Sequence, residues 1–330
     1  MKRGLVLGKF MPLHKGHIAL IEFALKQCDE LIVLVSASED EPIPGEARYK
    51  WLEQTFKDDS RVKPMLLTYD EAVLPNTSQS SEGVSKLWAN YLKEKLPPID
   101  VIFASEAYGA YMGRFLDCES MIFDEPRQIV PVSATQIRND PFSYWDFLSD
   151  AVRPYFIKKV CVYGSESTGK TTLTQLLANH FNTIGIPEMA REIIEHTNNC
   201  TPDDLLKIAE LHALGINKEI AGANKLLFVD TDINTTRSYS RFLFNKELIV
   251  PEWIEAANKF DLYLYLDIDA PYVQDGTRLN EEERNKLNQS HRQELENHGI
   301  NYVLIQGSDW DERFKKAVAA VNQFIKPVAK

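Results

Sequence analysis

The sequence predicts an α/β fold made of two consecutive parallel-sheet domains. Three observations predict it. Short apolar runs alternate with helical patterns through the first half; the alternation restarts near residue 157; and the restart carries a G-x-x-x-x-G-K-[ST] stretch between a strand pattern and a helix pattern. A length of 330 residues suits two domains of about 100–200 residues each.

The elements follow in order. Residues 3–8 form an apolar run ending in glycine, read as a buried strand, and residues 9–16, with Pro12 and Gly16, read as a loop. Ile18, Ile21 and Leu25 share one helical face, and residues 31–36 give a second buried strand. Residues 45–56 and 81–95 read as helices, and 62–68 and 101–104 as extended. After the restart, residues 157–163 read as a strand and 170–181 as a helix. Residues 225–229 and 262–266 are further apolar runs, and 311–324 give a closing amphipathic helix. The expected boundary lies within 150–157, where Pro154 interrupts the pattern, giving domains 1–154 and 155–330.

Composition narrows the function. With 44% apolar and 26% charged residues, each half is able to bury a core. The net charge of −11, without a basic run, argues against a nucleic-acid partner, whose phosphates are bound mainly by Lys and Arg. The four cysteines lack metal-ligand spacing and read as reduced thiols. No leader pattern and no membrane-spanning apolar run is found, so a cytoplasmic location is expected. Oligomeric state is open, a homo-oligomer included.

The strongest signal is Gly164-Ser165-Glu166-Ser167-Thr168-Gly169-Lys170-Thr171, followed by Thr172. Its glycines let successive amides turn toward phosphate oxygens, and the following helix adds a favourable field. Lys170 is expected on the β- and γ-phosphates of ATP and the Thr171 hydroxyl on Mg²⁺. Asp230 closes an apolar run, the place for a metal-side carboxylate; Asp232 is read either as a second such group or as a helix cap. Glu188 and Arg191 are candidates to face the acceptor. The run Asp275-Gly276-Thr277-Arg278, with Arg284 beyond it, suits a lid that neutralises phosphate charge.

The second signal is Gly8-Lys9-Phe10-Met11-Pro12-Leu13-His14-Lys15-Gly16-His17. His14 and His17 sit where a strand hands over to a helix, and His17 is expected to open that helix, with both imidazoles on ATP phosphates. Zinc is a weaker reading, since further ligands are not found nearby. Val132-Ser133-Ala134-Thr135-Gln136-Ile137-Arg138 supplies hydroxyls at a helix start and an arginine for a departing pyrophosphate.

The first stretch resembles the signature of the nucleotidyltransferase superfamily, and the second matches that family's [IV]-S-x-T-x-x-R motif. With the phosphate-binding loop behind them, nearly the whole chain resembles bifunctional nicotinamide-nucleotide adenylyltransferase/ribosylnicotinamide kinases. Ala104-Ser105-Glu106-Ala107-Tyr108-Gly109 and Asp275-Gly-Thr-Arg278 add to the likeness.

That resemblance implies a Rossmann-like nucleotidyltransferase domain followed by a P-loop kinase domain. It implies ATP-dependent phosphorylation of nicotinamide riboside to nicotinamide mononucleotide (NMN), then adenylyl transfer from ATP to NMN, giving NAD and pyrophosphate. His14, His17, Arg138 and Lys9 would act in the adenylyl transfer. Gly8, Phe10, Ser105 and Glu106 would line the nucleotide site, and Trp88, Tyr108 or Trp253 would stack on nicotinamide or serve as core. The same phosphate-handling residues would also suit a pantetheine or flavin acceptor. Some members of the family carry a DNA-binding module; with the first strand at Arg3, that module and a transcriptional role are not expected.

Overall fold

The computed structural model describes residues 1–76, 80–193, 200–269 and 279–326. Its contacts divide the chain into two compact units, Met1–Arg153 and Pro154–Lys330.

The first unit runs β1 (Arg3–Gly8), α1 (Lys15–Ala24), β2 (Glu30–Ala37), α2 (Gly45–Thr55), β3 (Val62–Thr68), α3 (Glu82–Lys95), β4 (Val101–Ala104), α4 (Tyr108–Leu116), β5 (Glu119–Ile122) and α5 (Ala134–Asn139). The strands pair in parallel in the order β3-β2-β1-β4-β5. Leu31 to Val35 of β2 are all buried, as expected of a parallel strand covered on both faces. Ser85, Trp88, Ala89 and Leu92 form the buried stripe of α3, and Trp88, Ala89 and Leu92 pack on Leu5, Ile32, Leu34 and Ile102. Each fully buried leucine or isoleucine among them contributes about 1.5–3 kcal/mol by leaving water.

A short helix, α6 (Arg153–Phe156), begins at the last residue of the first unit and continues into the second. That unit runs β6 (Lys158–Gly164), α7 (Lys170–His180), β7 (Ile184–Ile186), α8 (Ala190–Ile193), α9 (Pro202–Glu219), β8 (Leu226–Asp230), α10 (Ile233–Phe244), α11 (Glu252–Ala257), β9 (Leu262–Leu266), α12 (Glu281–Asn297), β10 (Val303–Ile305) and α13 (Trp310–Phe324). Its sheet is also parallel, in the order β10-β9-β6-β8-β7.

Both orders reverse direction beside the first strand of the unit. Successive crossovers leave β1 toward β2 and then return to β4; likewise β6 lies between β8 and β9. Ligands of open α/β sheets bind in the crevice this creates at the carboxyl ends of the strands. The residues that follow β1 and β4, and those that follow β6 and β8, are therefore the ones placed to do chemistry.

Two differences from expectation have clear causes. The loop expected at residues 9–16 is shorter, because α1 starts at Lys15 with His14 as its cap, so His17 lies in the third helical position rather than opening the helix. β5, β7 and β10 are strands of only three or four residues, too short for an apolar period to show.

Candidate active sites

In the first unit the chain leaves β1 through Phe10, which is held at φ 47° and buried, and a cis Met11–Pro12 bond. His14 then caps α1. Its Nδ1 accepts the Gly16 N–H at 3.1 Å, and the Nδ1 of His17 accepts the His14 N–H at 3.3 Å. This is a capping box built from two imidazoles, whose rings stack at 3.8 Å between centroids. A neutral ring that accepts at Nδ1 carries its proton on Nε2. Each imidazole is thus a fixed Nε2–H donor. Burial pulls the His14 pKa down to about 4, helped by the charge of Arg127. Burial, then His14, then Arg127 hold His17 well below the usual histidine range. Both rings are neutral at physiological pH.

Beside His17 lies a cleft of about 530 Å³ whose walls include Gly8, Lys9, Phe10, His17, Ser105, Glu106, Thr135 and Arg138; His14, buried behind His17, is not part of its wall. Sequence motifs more than a hundred residues apart thus meet in one cavity. Arg138 donates to the Met11 carbonyl and, at 3.1 Å, to the Thr135 hydroxyl. Trp88 and Tyr108 also border the cleft; the Tyr108 hydroxyl donates to the Leu7 carbonyl at 2.8 Å. Ser133 stands at a helix start as expected, as the cap of α5: its N–H and its hydroxyl both donate to Gln136 Oε1, at 2.8 and 2.9 Å, and its oxygen accepts the Gln136 N–H.

Sequence reasoning missed the supports of this cleft. Lys9 Nζ pairs with Glu41 Oε1 at 2.6 Å, and the other oxygen of Glu41 takes Arg48 Nη2 at 2.6 Å. Arg48 is fully buried and also donates to the carbonyls of Lys9 (2.9 Å) and Ser36 (3.2 Å). Arg127, held at φ 53° and paired with Glu106 at 3.3 Å, brings the positive field felt by both histidines. Neither group stands in a motif; only the charge pattern near Pro44 and Pro126 hints at them.

In the second unit, Gly164 (φ 143°), Ser167 (φ 57°) and Gly169 (φ 83°) turn the chain between β6 and α7. A side chain at Gly164 would meet the Leu266 carbonyl at 2.6 Å, so this position requires glycine on two counts. Lys170 Nζ donates to the Ser165 carbonyl at 3.0 Å, and the Thr168 hydroxyl to the same carbonyl at 2.8 Å. The Thr171 hydroxyl donates to Asp230 Oδ2 at 2.5 Å. The Glu166 carboxylate accepts from Tyr239 (2.7 Å) and from the Leu279 N–H (3.1 Å). Glu188 is close enough for its charge to help Glu166 raise the Tyr239 pKa, which burial raises most. Thr172 is exposed on α7.

Other residues take unexpected roles. Asp232 is the cap of α10: fully buried, it accepts from the backbones of Asn234 and Thr235 and, at 2.7 Å, from the Tyr263 hydroxyl. Its cap reading is the one that fits. Arg284 is not a lid residue. It is buried on α12, and its Nε donates to the Glu166 carbonyl at 2.9 Å, beneath the loop. Arg278 and residues 275–277 lie outside the described residues, as does the Arg191 side chain. Trp253 is 40% exposed on α11. Among the described residues, no group of three or more His, Cys, Asp or Glu forms a metal-binding cluster, and no helix is long and apolar enough to cross a membrane.

The comparisons with known proteins agree with this division. Residues 5–139 match the cytidylyltransferase-like family and residues 159–313 an AAA domain family. The trifunctional NAD biosynthesis/regulator protein NadR of Escherichia coli (strain K12) is 32% identical, over 98% of this chain and 83% of that protein. The nicotinamide-nucleotide adenylyltransferase of Thermococcus onnurineus is 28% identical, over 42% of this chain and 71% of its own. A crystal structure of NadR protein in complex with NAD and AMP-PNP superposes with a TM-score of 0.78 at 25% identity, covering 100% of this chain and 98% of that one. The chain belongs to the NadR family.

Proposed function

We propose that the chain makes NAD in two steps. The second unit phosphorylates nicotinamide riboside with ATP, and the first joins the resulting NMN to the adenylyl group of a second ATP, releasing pyrophosphate. The observation that carries this reading is the presence, in one chain of the NadR family, of a buried imidazole pair with fixed Nε2–H donors and a complete P-loop with its partner carboxylate.

Both steps are in-line displacements at phosphorus, so positioning and charge stabilisation account for the catalysis. In the adenylyl transfer an oxygen of the NMN phosphate attacks the α-phosphorus of ATP, and the bond to pyrophosphate breaks. The Nε2–H groups of His14 and His17 hold phosphate oxygens by neutral donors. Lys9, Arg138 and Arg127 supply the positive charge that the departing pyrophosphate needs. Because the rings need not gain or lose a proton, they serve as fixed dipoles rather than as acid and base.

In the kinase step a ribose hydroxyl attacks the γ-phosphorus, the bond to the β–γ bridging oxygen breaks, ADP leaves, and the hydroxyl gives up its proton to water. Lys170 and the amides of 164–171 bind the phosphates. A short contact between a hydroxyl and a buried carboxylate is a hard-oxygen site of the kind Mg²⁺ uses, since that ion keeps most of its other positions for phosphate and water. Thr171 and Asp230 would hold it, where it would neutralise charge on the β- and γ-phosphates. Glu188, whose charge reaches the Tyr239–Glu166 pair, is assigned to the acceptor. Arg191 and Arg278 complete the set we assign to the kinase. The reading also places the enzyme in the cytoplasm, the compartment that supplies ATP and keeps thiols such as Cys28 and Cys161 reduced.

Purified protein given nicotinamide riboside, ATP and Mg²⁺ should release NMN and NAD. Absence of both products sinks the reading.

A further inference from the structure

A phosphate cradle of backbone amides has a corollary. If the N–H groups turn inward to the anion, carbonyls turn outward into protein, and a buried carbonyl needs a donor. In the loop 164–171 these donors are side chains. The Ser165 carbonyl takes Lys170 and Thr168, and the Glu166 carbonyl takes Arg284. The Thr168 carbonyl, last before the turn at Gly169, takes Arg313 Nη1 at 3.1 Å, although Arg313 lies 145 positions further on.

Arg313 is buried, with 1% of its surface exposed. Its guanidinium has four acceptors. Besides Thr168 it donates to the carbonyls of Gly307 and Asp267, the latter at 2.9 Å, and to the Asp269 carboxylate. Gly307 N–H in turn donates to Asp269 Oδ2 at 2.6 Å. One side chain thereby ties the exits of β9 and β10 to the loop after β6. On the turn before it in α13, Trp310 lies against Gly169, where any side chain would collide with the indole, and the Arg313 guanidinium stands 5.5 Å from the centre of that ring. With its nitrogens engaged in this way and its charge met by Asp269, Arg313 is not offered to a phosphate.

We propose that Arg313 is a positioning residue of the kinase reaction, which fixes the outward carbonyl of Thr168 so that the loop amides stay aimed at ATP. The proposal rests on the reading of the second unit as an ATP-using kinase. The planar fork matters: lysine has one nitrogen and cannot reach four acceptors spread over three loops.

The test uses the full chain in a His17→Ala background, so that NMN accumulates, with Arg313→Met and Arg313→Lys added in turn. Arg313→Met should raise the KM for ATP roughly tenfold to a hundredfold, with the KM for nicotinamide riboside changed less than about twofold. Arg313→Lys should recover part of the loss and, if the methionine variant does not fold, decides alone by a several-fold rise in the same constant. A KM for ATP equal to the parent's overturns the proposal. So does an equal rise in both KM values, or a lower thermal midpoint with unchanged kinetics, since either marks a merely structural role. A parent that makes no NMN overturns the kinase reading and this proposal with it.

Discussion

The Thr171 hydroxyl donates to Asp230 Oδ2 across the gap between α7 and the end of β8, at 2.5 Å. The pair joins the last residue of the phosphate loop to the neighbouring strand at the point where the sheet order reverses. If it is the metal-side corner of the kinase, Asp230→Asn should lower the kinase kcat by on the order of 10²–10³. Adenylyl transfer by the same protein should be unaffected. Separate assays of NMN and NAD formation check this.

The two histidines make a different prediction. Replacing His17 by alanine removes a phosphate donor and one half of the capping box, so adenylyl transfer should fall by on the order of 10²–10³ while riboside phosphorylation continues. His17→Gln restores a donor but not the ring geometry, and should recover only part of the rate.

Glu41 sits between two cations, one of them fully buried. Glu41→Ala leaves Arg48 without its counter-charge inside the protein, which should cost about 3–5 kcal/mol. It also frees Lys9 from its partner in the cleft. Urea unfolding of the variant, followed by a probe in the first unit such as Trp88, measures the loss.

Acid should act through the buried histidines. Burial lowers His14 and His212 to about 4 and His291 to about 3, against 6.5 when exposed. Their folded-state pKa values are depressed, so below pH 6.5 the unfolded chain binds more protons than the folded one. The stability they confer is full above pH 6.5 and is lost as pH falls toward 4 and then 3, at up to about 1.4 kcal/mol per pH unit for each ring. Unfolding free energies measured across this window should show that slope, and His291→Asn should reduce it by about one proton.

Much of this was legible in the sequence because the signals are local. The loop 164–171, the strand ending at Asp230 and the pair His14 and His17 each lie within about ten residues of the strand or helix that places them. Two of the readings that the structure changed or decided involve side chains with distant partners. Arg284 looks like a lid arginine until the fold carries α12 beneath Glu166, and Asp232 is decided by Tyr263, 31 residues on. The supports Glu41, Arg48, Arg127 and Arg313 carry no motif, since a buried ion pair or a braced carbonyl has no spacing to detect. The short strands β5, β7 and β10 were hidden for a simpler reason, being three or four residues long.

Two separable transfers in sequence are assigned to this one chain. Following NMN and NAD together from nicotinamide riboside, ATP and Mg²⁺ in the parent, Lys170→Ala and His17→Ala proteins tests both at once. The parent should give NAD, His17→Ala NMN alone, and Lys170→Ala neither unless NMN is supplied, when NAD returns. NAD formed from the riboside by Lys170→Ala, or from supplied NMN by His17→Ala at the parent's rate, would contradict the assignment.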